Sequence, residues 1–222
     1  MSLQTATYFY SNATLKGSTT VPGDKSISHR SLMLAGVALG TTTIEGLLEG
    51  ADVMSTLGAM RKLGVSIEKH KDQWVVEGNG LQSLREADDV LDLGNAGTGV
   101  RLLMGLLAGY PFSSTFTGDA SLRHRPMGRV FEPLEQMGTC GMFRNSKFLP
   151  ATLQGGDLMP IEYPLPVPSA QVKSAILLAG LNTPGQTTVI EHEPSRDHTE
   201  TMLRYFGFDC VVKAEGTRRT IS

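Results

Sequence analysis

Three short polar stretches of the sequence each stand directly before an apolar run. They are PGDKSISHR at 22–30, GNAGTGVR at 94–101 and PSAQVKS at 168–174. Their hydroxyl, lysine and arginine side chains donate to anionic oxygens, and their glycines let a ligand approach the backbone closely. Because the start of a helix presents unpaired N–H groups and the positive end of its dipole, each stretch predicts a site for phosphate or carboxylate.

These stretches supply the candidate binding residues, which are polar except for one glycine. They are Lys25, Ser26, Ser28 and Arg30, then Asn95, Gly97, Thr98 and Arg101, then Ser169, Gln171 and Lys173. Two further basic stretches contribute Arg123, His124, Arg125 and Arg129, and Arg196. Pro126 suits the first position of a helix, so Arg125 should lie just outside a positive helix end, where an anion would stabilise it.

Each candidate has a simpler interpretation when it is taken alone. The hydroxyl residues could be ordinary N-caps, and the cations could be solvated or paired with carboxylates. The hydroxyl residues in question are Ser28, Thr98 and Ser169, and the cations are Arg101, Lys173 and Arg129. What favours an anion pocket is the joint placement of such residues at three helix starts.

The histidines do not predict a metal site. His192 and His198 are close in sequence, but their spacing fits neither a zinc finger nor HExxH, so we expect no metal there. His29 and His124 fit structural roles better than the role of a general base.

Two independent landmarks recur with the same period. Leu-Ala-Gly occurs at 34–36, 107–109 and 178–180, so its glycines are 73 and 71 residues apart. A second glycine closes RKLG, EQMG and RYFG at Gly64, Gly138 and Gly207, with steps of 74 and 69 residues. A shared period indicates repeated structural units, and there are three of them here.

Each repeat has the same predicted order of elements, β-α-β-α-β-β. A strand leads into an apolar helix that ends at Leu-Ala-Gly, and a threonine-rich strand, an amphipathic helix and two short strands follow. The apolar helices are predicted at 28–38, 97–109 and 169–180, and the amphipathic helices at 52–63, 126–137 and 197–206. Pro133 should kink or shorten the second amphipathic helix.

The predicted fold class is α/β, because strands alternate with helices. Three copies suggest pseudo-threefold symmetry, with the three apolar helices packed together. The alternative is a doubly wound sheet in which the repeat is accidental, and the agreement in phase between two landmarks argues against it.

Composition limits the classes of function. A chain of 222 residues with 40% hydrophobic residues can bury one large core or two small ones. Its net charge of −2 and pI near 6.2 give no electrostatic case for nucleic acid or an anionic membrane. No apolar run is long enough for a membrane span and no signal peptide is apparent. We therefore expect a cytoplasmic protein, with Cys140 and Cys210 as buried free thiols.

The polar stretches, taken in order along nearly the whole chain, resemble the family of 5-enolpyruvylshikimate-3-phosphate (EPSP) synthases, the 3-phosphoshikimate 1-carboxyvinyltransferases. The matching segments are PGDKSISHR, LGNAGTGVRLLMG, GDASLRHRPMGR, PVPSAQVKSAILLAGL and SRDHTETML. DKSISHR together with GNAGTG is highly specific. The resemblance implies an inside-out α/β barrel of two domains, each built from three β-α-β-α-β-β units.

The resemblance also implies a domain organisation. Residues 1–20 would lie near a second domain, and 21–222 would form one domain with repeats at about 21–85, 86–156 and 157–222. The second domain, which supplies the acid/base carboxylates and further phosphoenolpyruvate-binding residues in this family, is not part of the sequence. The chain alone should therefore be an inactive, substrate-binding half.

Roles for single residues follow from the family pattern. Lys25, the assigned catalytic residue, would contact both substrates and the tetrahedral intermediate. Shikimate 3-phosphate would be bound by Lys25, Ser26, Arg30, Ser169, Ala170, Gln171 and Arg196. Phosphoenolpyruvate would be bound by Lys25, Asn95, Gly97, Thr98, Arg125 and Gln171. Some members carry a serine where this chain has Ala170, so a backbone N–H would have to serve there.

The implied reaction is enolpyruvyl transfer in the shikimate pathway to aromatic amino acids. The 5-hydroxyl of shikimate 3-phosphate adds to C2 of protonated phosphoenolpyruvate, and phosphate leaves. Both substrates are polyanions, which suits the cationic stretches, and domain closure would exclude water. No metal or organic cofactor is required, and a full-length monomer is expected.

Glyphosate competes for the phosphoenolpyruvate site; tolerant members carry alanine at the position of Gly97, so glycine predicts sensitivity.

Two other functions are considered. The sister enzyme that transfers enolpyruvyl to UDP-N-acetylglucosamine usually has a reactive cysteine in the loop matching GDASLRHRP. This chain has Ala120, Ser121 and Leu122 there, and no cysteine within 18 residues of Ala120. A noncatalytic anion-binding module is opposed by the presence of every first-domain residue that the reaction needs. Turnover on adding the missing domain in trans would separate these functions.

Overall fold

In a computed structural model of the protein, residues 16–222 are described, and they form three repeated units. The first unit contains α1 (Lys25–Val37), β1 (Leu39–Glu45), α2 (Ala51–Lys62), β2 (Ser66–His70) and β3 (Gln73–Asn79). The second contains β4 (Leu91–Asp92), α3 (Gly97–Leu107), β5 (Ser113–Thr117), a 3-10 helix (Leu122–His124), α4 (Gly128–Met137), β6 (Cys140–Arg144) and β7 (Phe148–Gln154). The third contains β8 (Glu162–Pro164), α5 (Ala170–Gly180), β9 (Thr188–Glu191), α6 (His198–Tyr205), β10 (Val212–Glu215) and β11 (Arg218–Ile221).

Each unit forms its own small sheet. The strand order is β4-β5-β7-β6 in the second unit and β8-β9-β11-β10 in the third, with the first pair parallel and the others antiparallel. The first unit has the order β1-β3-β2. The predicted α/β class and repeat are confirmed. The opening strand predicted for the first unit is absent from residues 16–24, and any earlier position for it lies outside the described residues.

The second glycine landmark marks helix ends, as predicted. Gly64, Gly138 and Gly207 follow α2, α4 and α6 with φ angles of 91°, 114° and 86°, which lie in the left-handed region that glycine adopts readily. Pro126 was predicted wrongly as the first residue of α4, because that helix begins at Gly128. The helix continues past Pro133 to Met137, where its end was predicted.

The apolar helices pack in the interior and bring the polar stretches together. Helix α3 contacts both α1 and α5. A Cβ at Gly105 of α3 would lie 2.2 Å from the carbonyl oxygen of Ala175, so only glycine allows α3 and α5 to approach this closely. At the starts of the same two helices, Gln171 Nε2 donates to Thr98 Oγ1 at 3.0 Å. Close helix packing therefore positions polar residues from two different repeats side by side.

The predictions for the two cysteines have different outcomes. Cys140 and Cys210 are both free; Cys210 is buried as predicted, but Cys140 is exposed. The prediction was wrong for Cys140 because its side chain lies on the solvent face of β6, opposite the exposed Gln154 of β7. A short apolar pattern does not show which face of a strand is buried. Among residues 16–222, no helix has both the length and the apolar character needed to cross a bilayer.

His29 has the structural role that was predicted. It lies on α1, is fully buried, and its Nδ1 is 2.8 Å from Thr56 Oγ1. Burial lowers the pKa of His29 to about 4, and the negative charge of Asp52 opposes this shift only in part. The imidazole is therefore neutral at physiological pH.

We expect His29 to make the free energy of unfolding fall by about 3 kcal/mol as the pH drops from 7 to 4. The folded-state pKa is below the unfolded value, so the unfolded chain binds the proton first and gains stability as the pH falls through this window. Urea unfolding of the parent and of His29→Gln, which can still bond Thr56, isolates the effect because the carboxylates are common to both. A stability difference between them that does not change with pH would contradict the prediction.

Candidate functional site

A polar pocket of about 500 Å³ opens where the starts of α1, α3 and α5 meet. The second residue of each helix, Ser26, Thr98 or Gln171, lines it. Equivalent positions of three repeats thus converge, and each brings the positive end of a helix dipole. The volume lies within the range of about 300–1,000 Å³ typical of small-molecule sites.

Six of the seven residues predicted for shikimate 3-phosphate line this pocket. They are Ser26, Arg30, Ser169, Ala170, Gln171 and Arg196. Thr98, predicted for the other substrate, lines it too, together with Pro194, Ser195 and His198. Sequence reasoning did not predict these last three as pocket residues. Pro194 and Ser195 lie beside Arg196 in the loop between β9 and α6, and His198, which had been considered only as a metal ligand, is the first residue of α6.

Arg30 is held beneath the pocket by uncharged oxygen atoms. It is 4% exposed; its Nε donates to Thr199 Oγ1 and its Nη2 to Ser174 Oγ, both at 2.7 Å, and its Nη1 donates to the Ser26 carbonyl at 2.9 Å. Burial lowers the pKa of Arg30 to about 10, and the charge of Glu200 opposes this shift. The guanidinium is thus protonated at neutral pH, and within residues 16–222 it forms no ion pair. Its charge remains available to an anion in the pocket.

The N-cap interpretation is right for Ser169 and wrong for the other two hydroxyl residues. Ser169 Oγ accepts from the Val172 N–H at 3.4 Å, whereas Ser28 and Thr98 lie inside their helices. Helix α1 begins earlier than predicted and is capped by Asp24, which accepts from the Ile27 N–H at 2.9 Å. That hydrogen bond lowers the pKa of Asp24, and the charges of His198 and Arg196 lower it further.

Two cations near the pocket differ in how firmly they are held. Lys25, at the start of α1, is 2.9 Å from Asp52 Oδ2, but its side chain is 52% exposed. An exposed pair of this kind is weak, so Asp52 leaves Lys25 able to reach an anion. The exposed Arg196 forms no side-chain hydrogen bond or ion pair in the part of the chain that the structure describes.

Asn95 and Arg125 form a second cluster that adjoins the pocket. Arg125 Nη2 donates to Asn95 Oδ1, and also to Ser121 Oγ at 3.1 Å. Asn95 Nδ2 donates in turn to Asp119 Oδ2 at 2.6 Å. Two residues predicted for phosphoenolpyruvate, from different stretches of the sequence, are therefore in direct contact.

Gly97 lies between two guanidinium groups. A Cβ at this position would be 3.0 Å from Arg125 Nη1 and 3.1 Å from Arg101 Nη1. The missing side chain thus leaves open the space on which both arginines converge.

Gln171 connects this cluster with the pocket. Its Nε2 bonds Thr98, while its Oε1 accepts from Arg101 Nη1 at 3.2 Å and from Arg129 Nη2 at 3.4 Å. Arg101 is 6% exposed, and burial, together with the charges of Arg129 and Arg125, lowers its pKa to about 10. None of these three arginines forms an ion pair among the described residues. The region around Gly97 is therefore strongly positive.

Lys173 is not a pocket cation. Its ammonium group pairs with Glu191 and Glu200 in the interior, so the paired interpretation is the right one for this residue. Arg101 and Arg129, for which the same interpretation was open, are unpaired within residues 16–222.

A larger groove elsewhere lacks the features of a polar site. It has a volume of about 840 Å³ and lies between β1 and the end of α6. Residues such as Val37, Leu39, Phe206 and Phe208 line it, with no lysine, arginine or histidine. The smaller polar pocket is therefore the candidate site. Within the described residues, no group of three or more His, Cys, Asp or Glu side chains is arranged to hold a metal ion.

Comparison with known proteins identifies the family. The family model described as EPSP synthase (3-phosphoshikimate 1-carboxyvinyltransferase) matches residues 10–222. A 3-phosphoshikimate 1-carboxyvinyltransferase of Parvibaculum lavamentivorans is 59% identical over 93% of this chain and 46% of its own length, and one of Novosphingobium aromaticivorans is 56% identical over 95% and 48%. A solved structure of EPSP synthase from Acinetobacter baumannii aligns with a TM-score of 0.86 and 49% identity, covering 92% of this chain and 46% of that one.

The structural likeness is close, so the inside-out α/β architecture of EPSP synthases is the fold of this chain too. The chain spans about half the length of the curated relatives it matches. The similarity runs through all three repeats and through every polar stretch that lines the pocket. The chain therefore belongs to the EPSP synthase (3-phosphoshikimate 1-carboxyvinyltransferase) family.

Proposed function

We propose that this chain is the substrate-binding half of a 3-phosphoshikimate 1-carboxyvinyltransferase. The complete enzyme transfers the enolpyruvyl group of phosphoenolpyruvate to the 5-hydroxyl of shikimate 3-phosphate and releases phosphate. One observation carries the proposal: six residues that the family pattern gives to shikimate 3-phosphate line a single pocket, and Thr98 joins Ser26 and Gln171 there at the equivalent position of the second repeat. A chance cluster would not gather equivalent positions of three repeats.

The pocket suits the phosphate group of the acceptor substrate. The hydroxyl of Ser26 and the free N–H groups at the starts of α1 and α5 donate to its oxygens, and the N–H of Ala170 takes the place of a serine side chain. Arg30 supplies a charge that is already oriented, and the exposed Arg196 supplies a second that can close over the ligand. Gln171 is placed to contact the ring.

The adjoining cluster suits phosphoenolpyruvate. Arg125 and Asn95 hold its anionic groups over Gly97, and Lys25 lies at the junction of the two substrates. These groups balance the negative charge that both substrates already carry before any bond changes. The proposal gives the acid/base carboxylates to the second domain and requires no metal or organic cofactor.

The proposal extends to the organisation of the protein. Residues 21–222 form one domain with repeats at about 21–85, 86–156 and 157–222. The predicted segment at 1–20 lies mostly outside the described residues. The complete enzyme is a cytoplasmic monomer without a nucleic-acid or membrane partner, and the chain alone is inactive.

A calorimetric titration of this chain with shikimate 3-phosphate tests the function. We expect saturable binding, weakened about tenfold in Ser169→Ala because a hydroxyl at the start of α5 is lost, and no heat with UDP-N-acetylglucosamine. The second domain of the Parvibaculum relative, added in trans with both substrates, should restore turnover. A folded chain that binds no shikimate 3-phosphate and gives no turnover in that mixture would overturn the proposal.

Glyphosate sensitivity depends on the space at Gly97. In the complete enzyme we expect inhibition by glyphosate, and we expect Gly97→Ala to raise the half-inhibitory concentration at least about tenfold, because one added methyl group excludes a tightly fitted ligand. Its Cβ would lie 3.0 Å from Arg125 Nη1, so the KM for phosphoenolpyruvate should rise as well.

Inhibition assays at fixed phosphoenolpyruvate check this expectation. Gly156→Ala is the matched control, because a Cβ there meets nothing within 4 Å. Uninhibited turnover of the parent enzyme in millimolar glyphosate would show that the prediction is wrong.

A further inference from the structure

A buried group of three charges lies directly behind the polar pocket. Lys173 Nζ is 2.9 Å from Glu191 Oε2 and 2.6 Å from Glu200 Oε1, and the three side chains are 0%, 0% and 2% exposed. Charges buried this completely are rare unless their positions matter, because removing them from water is costly. None of the three lines the pocket, so the group does not touch a ligand there.

The two carboxylates stand at the two ends of the loop that carries Arg196. Glu191 is the last residue of β9, and Glu200 lies in the first turn of α6. The loop between them, 192–197, contributes Arg196 to the pocket. Ser195 Oγ, within the loop, donates to the second oxygen of Glu191. A single lysine of α5 thus ties both ends of the loop to the helix whose start lines the pocket.

The same framework also orients Arg30. Its Nε and Nη2 donate to Thr199 and Ser174, which are the chain neighbours of Glu200 and Lys173. The hydroxyls of Thr199 and Ser174 are 2.7 Å apart, so α5 and α6 meet at this point. Both arginines of the pocket therefore depend on the contact that Lys173 makes between these elements.

The first repeat contains a corresponding contact between a helix side chain and a loop. Lys173 is the fourth residue of α5, and Ser28 is the fourth residue of α1. Ser28 Oγ accepts from the Leu48 N–H at 3.0 Å, in the loop between β1 and α2. At the same helix position, each side chain holds the loop that precedes the amphipathic helix of its own repeat.

We infer that Lys173 is a positioning residue for the shikimate 3-phosphate site. By bridging Glu191 and Glu200 it holds loop 192–197 in the geometry that aims Arg196 into the pocket. The inference rests on the proposed function for the identity of the ligand, and on the geometry alone for the anchoring of the loop.

Glu191→Gln is the principal test variant, because it leaves a neutral Lys173–Glu200 pair and nearly the same shape. We expect hydrogen exchange of the amides of 192–198, measured without ligand, to become about tenfold faster, while the β2–β3 hairpin is unchanged. The dissociation constant for shikimate 3-phosphate should rise about tenfold, as when a partner that orients a binding group is lost. Lys173→Met should show both effects more strongly if it folds.

Asp89→Asn is the matched control. It removes the exposed Lys62–Asp89 pair, at 3.0 Å with side chains 42% and 69% exposed, and should change neither readout. Unchanged hydrogen exchange and unchanged affinity in Glu191→Gln would overturn the inference. Exchange that rises equally throughout the chain would overturn it too, because the substitution would then have lowered only the general stability of the fold. If the parent binds no shikimate 3-phosphate and gives no turnover with the second domain added in trans, the proposed function fails. The exchange data still decide whether Lys173 holds the loop.

Discussion

Replacing Arg30 with alanine is expected to lower the affinity for shikimate 3-phosphate by about a thousandfold, because a buried charge that meets an anion contributes about 2–5 kcal/mol to binding. Arg30 is 4% exposed, so water cannot replace its charge efficiently in the variant. Its three side-chain and backbone contacts fix its direction before the ligand arrives, so little entropy is lost on binding. The substitution also leaves an empty volume that a phosphate cannot fill favourably.

The chain should still fold without this arginine. The hydroxyls of Ser174 and Thr199 already bond each other at 2.7 Å, and this contact between α5 and α6 does not need the guanidinium. Glu200 keeps its ion pair with Lys173. Circular dichroism and urea unfolding should therefore report a folded variant, and the loss of affinity can be assigned to the site.

Calorimetric titration with shikimate 3-phosphate measures the effect. Arg30→Lys should restore little of the affinity, because an ammonium group cannot match the three-way geometry of a planar guanidinium. Arg218→Ala, on the exposed face of β11, is the control with the same change of charge. Affinity in Arg30→Ala within about threefold of the parent, or less than about 1 kcal/mol, would show that the phosphate binds elsewhere.

Much of the fold and the pocket could be predicted from local features of the sequence. The glycines that end helices and the Leu-Ala-Gly repeats set the three units, because both signals depend only on neighbouring residues. The same period placed Ser26, Thr98 and Gln171 at equivalent helix starts, where the structure brings them to one pocket. The convergence of the three helix starts followed from the threefold repeat, and no long-range contact had to be known to predict it.

The remaining features depend on contacts between distant residues, and the sequence could not show them. Cys140 has an apolar strand pattern, yet it is exposed because it lies on the face of β6 that is turned to solvent, opposite the exposed Gln154. In the sequence, Lys173 is one more cation of a polar stretch, although in the structure it pairs with Glu191 and Glu200. This pairing depends on how β9 and α6 pack against α5, and the periodicity of the sequence does not predict that packing.

Replacing Lys173 with methionine is expected to lower the free energy of unfolding by about 3–5 kcal/mol, the usual cost of removing one partner from a buried ion pair. Methionine has nearly the same length, so the main change is electrostatic. The variant leaves Glu191 and Glu200 buried, 0% and 2% exposed, with no cation between them. Lys62→Met, which breaks the exposed pair with Asp89, should cost less than about 1 kcal/mol.

Urea unfolding of a short series of variants separates charge from packing. A triple variant, Lys173→Met with Glu191→Gln and Glu200→Gln, carries no charge at these three positions. It should recover much of the stability that the single change loses, because replacing a whole buried ion group is often tolerated better than removing one partner. If the triple variant is no more stable than Lys173→Met, packing of the lysine stem, and not its charge, holds α5 against α6. If Lys173→Met itself stays within about 1 kcal/mol of the parent, water reaches the carboxylates and the group is not sealed. The triple variant could regain stability and yet bind shikimate 3-phosphate weakly. That result would show that the three charges are needed to place the loop of Arg196 and are not needed for the fold to be stable.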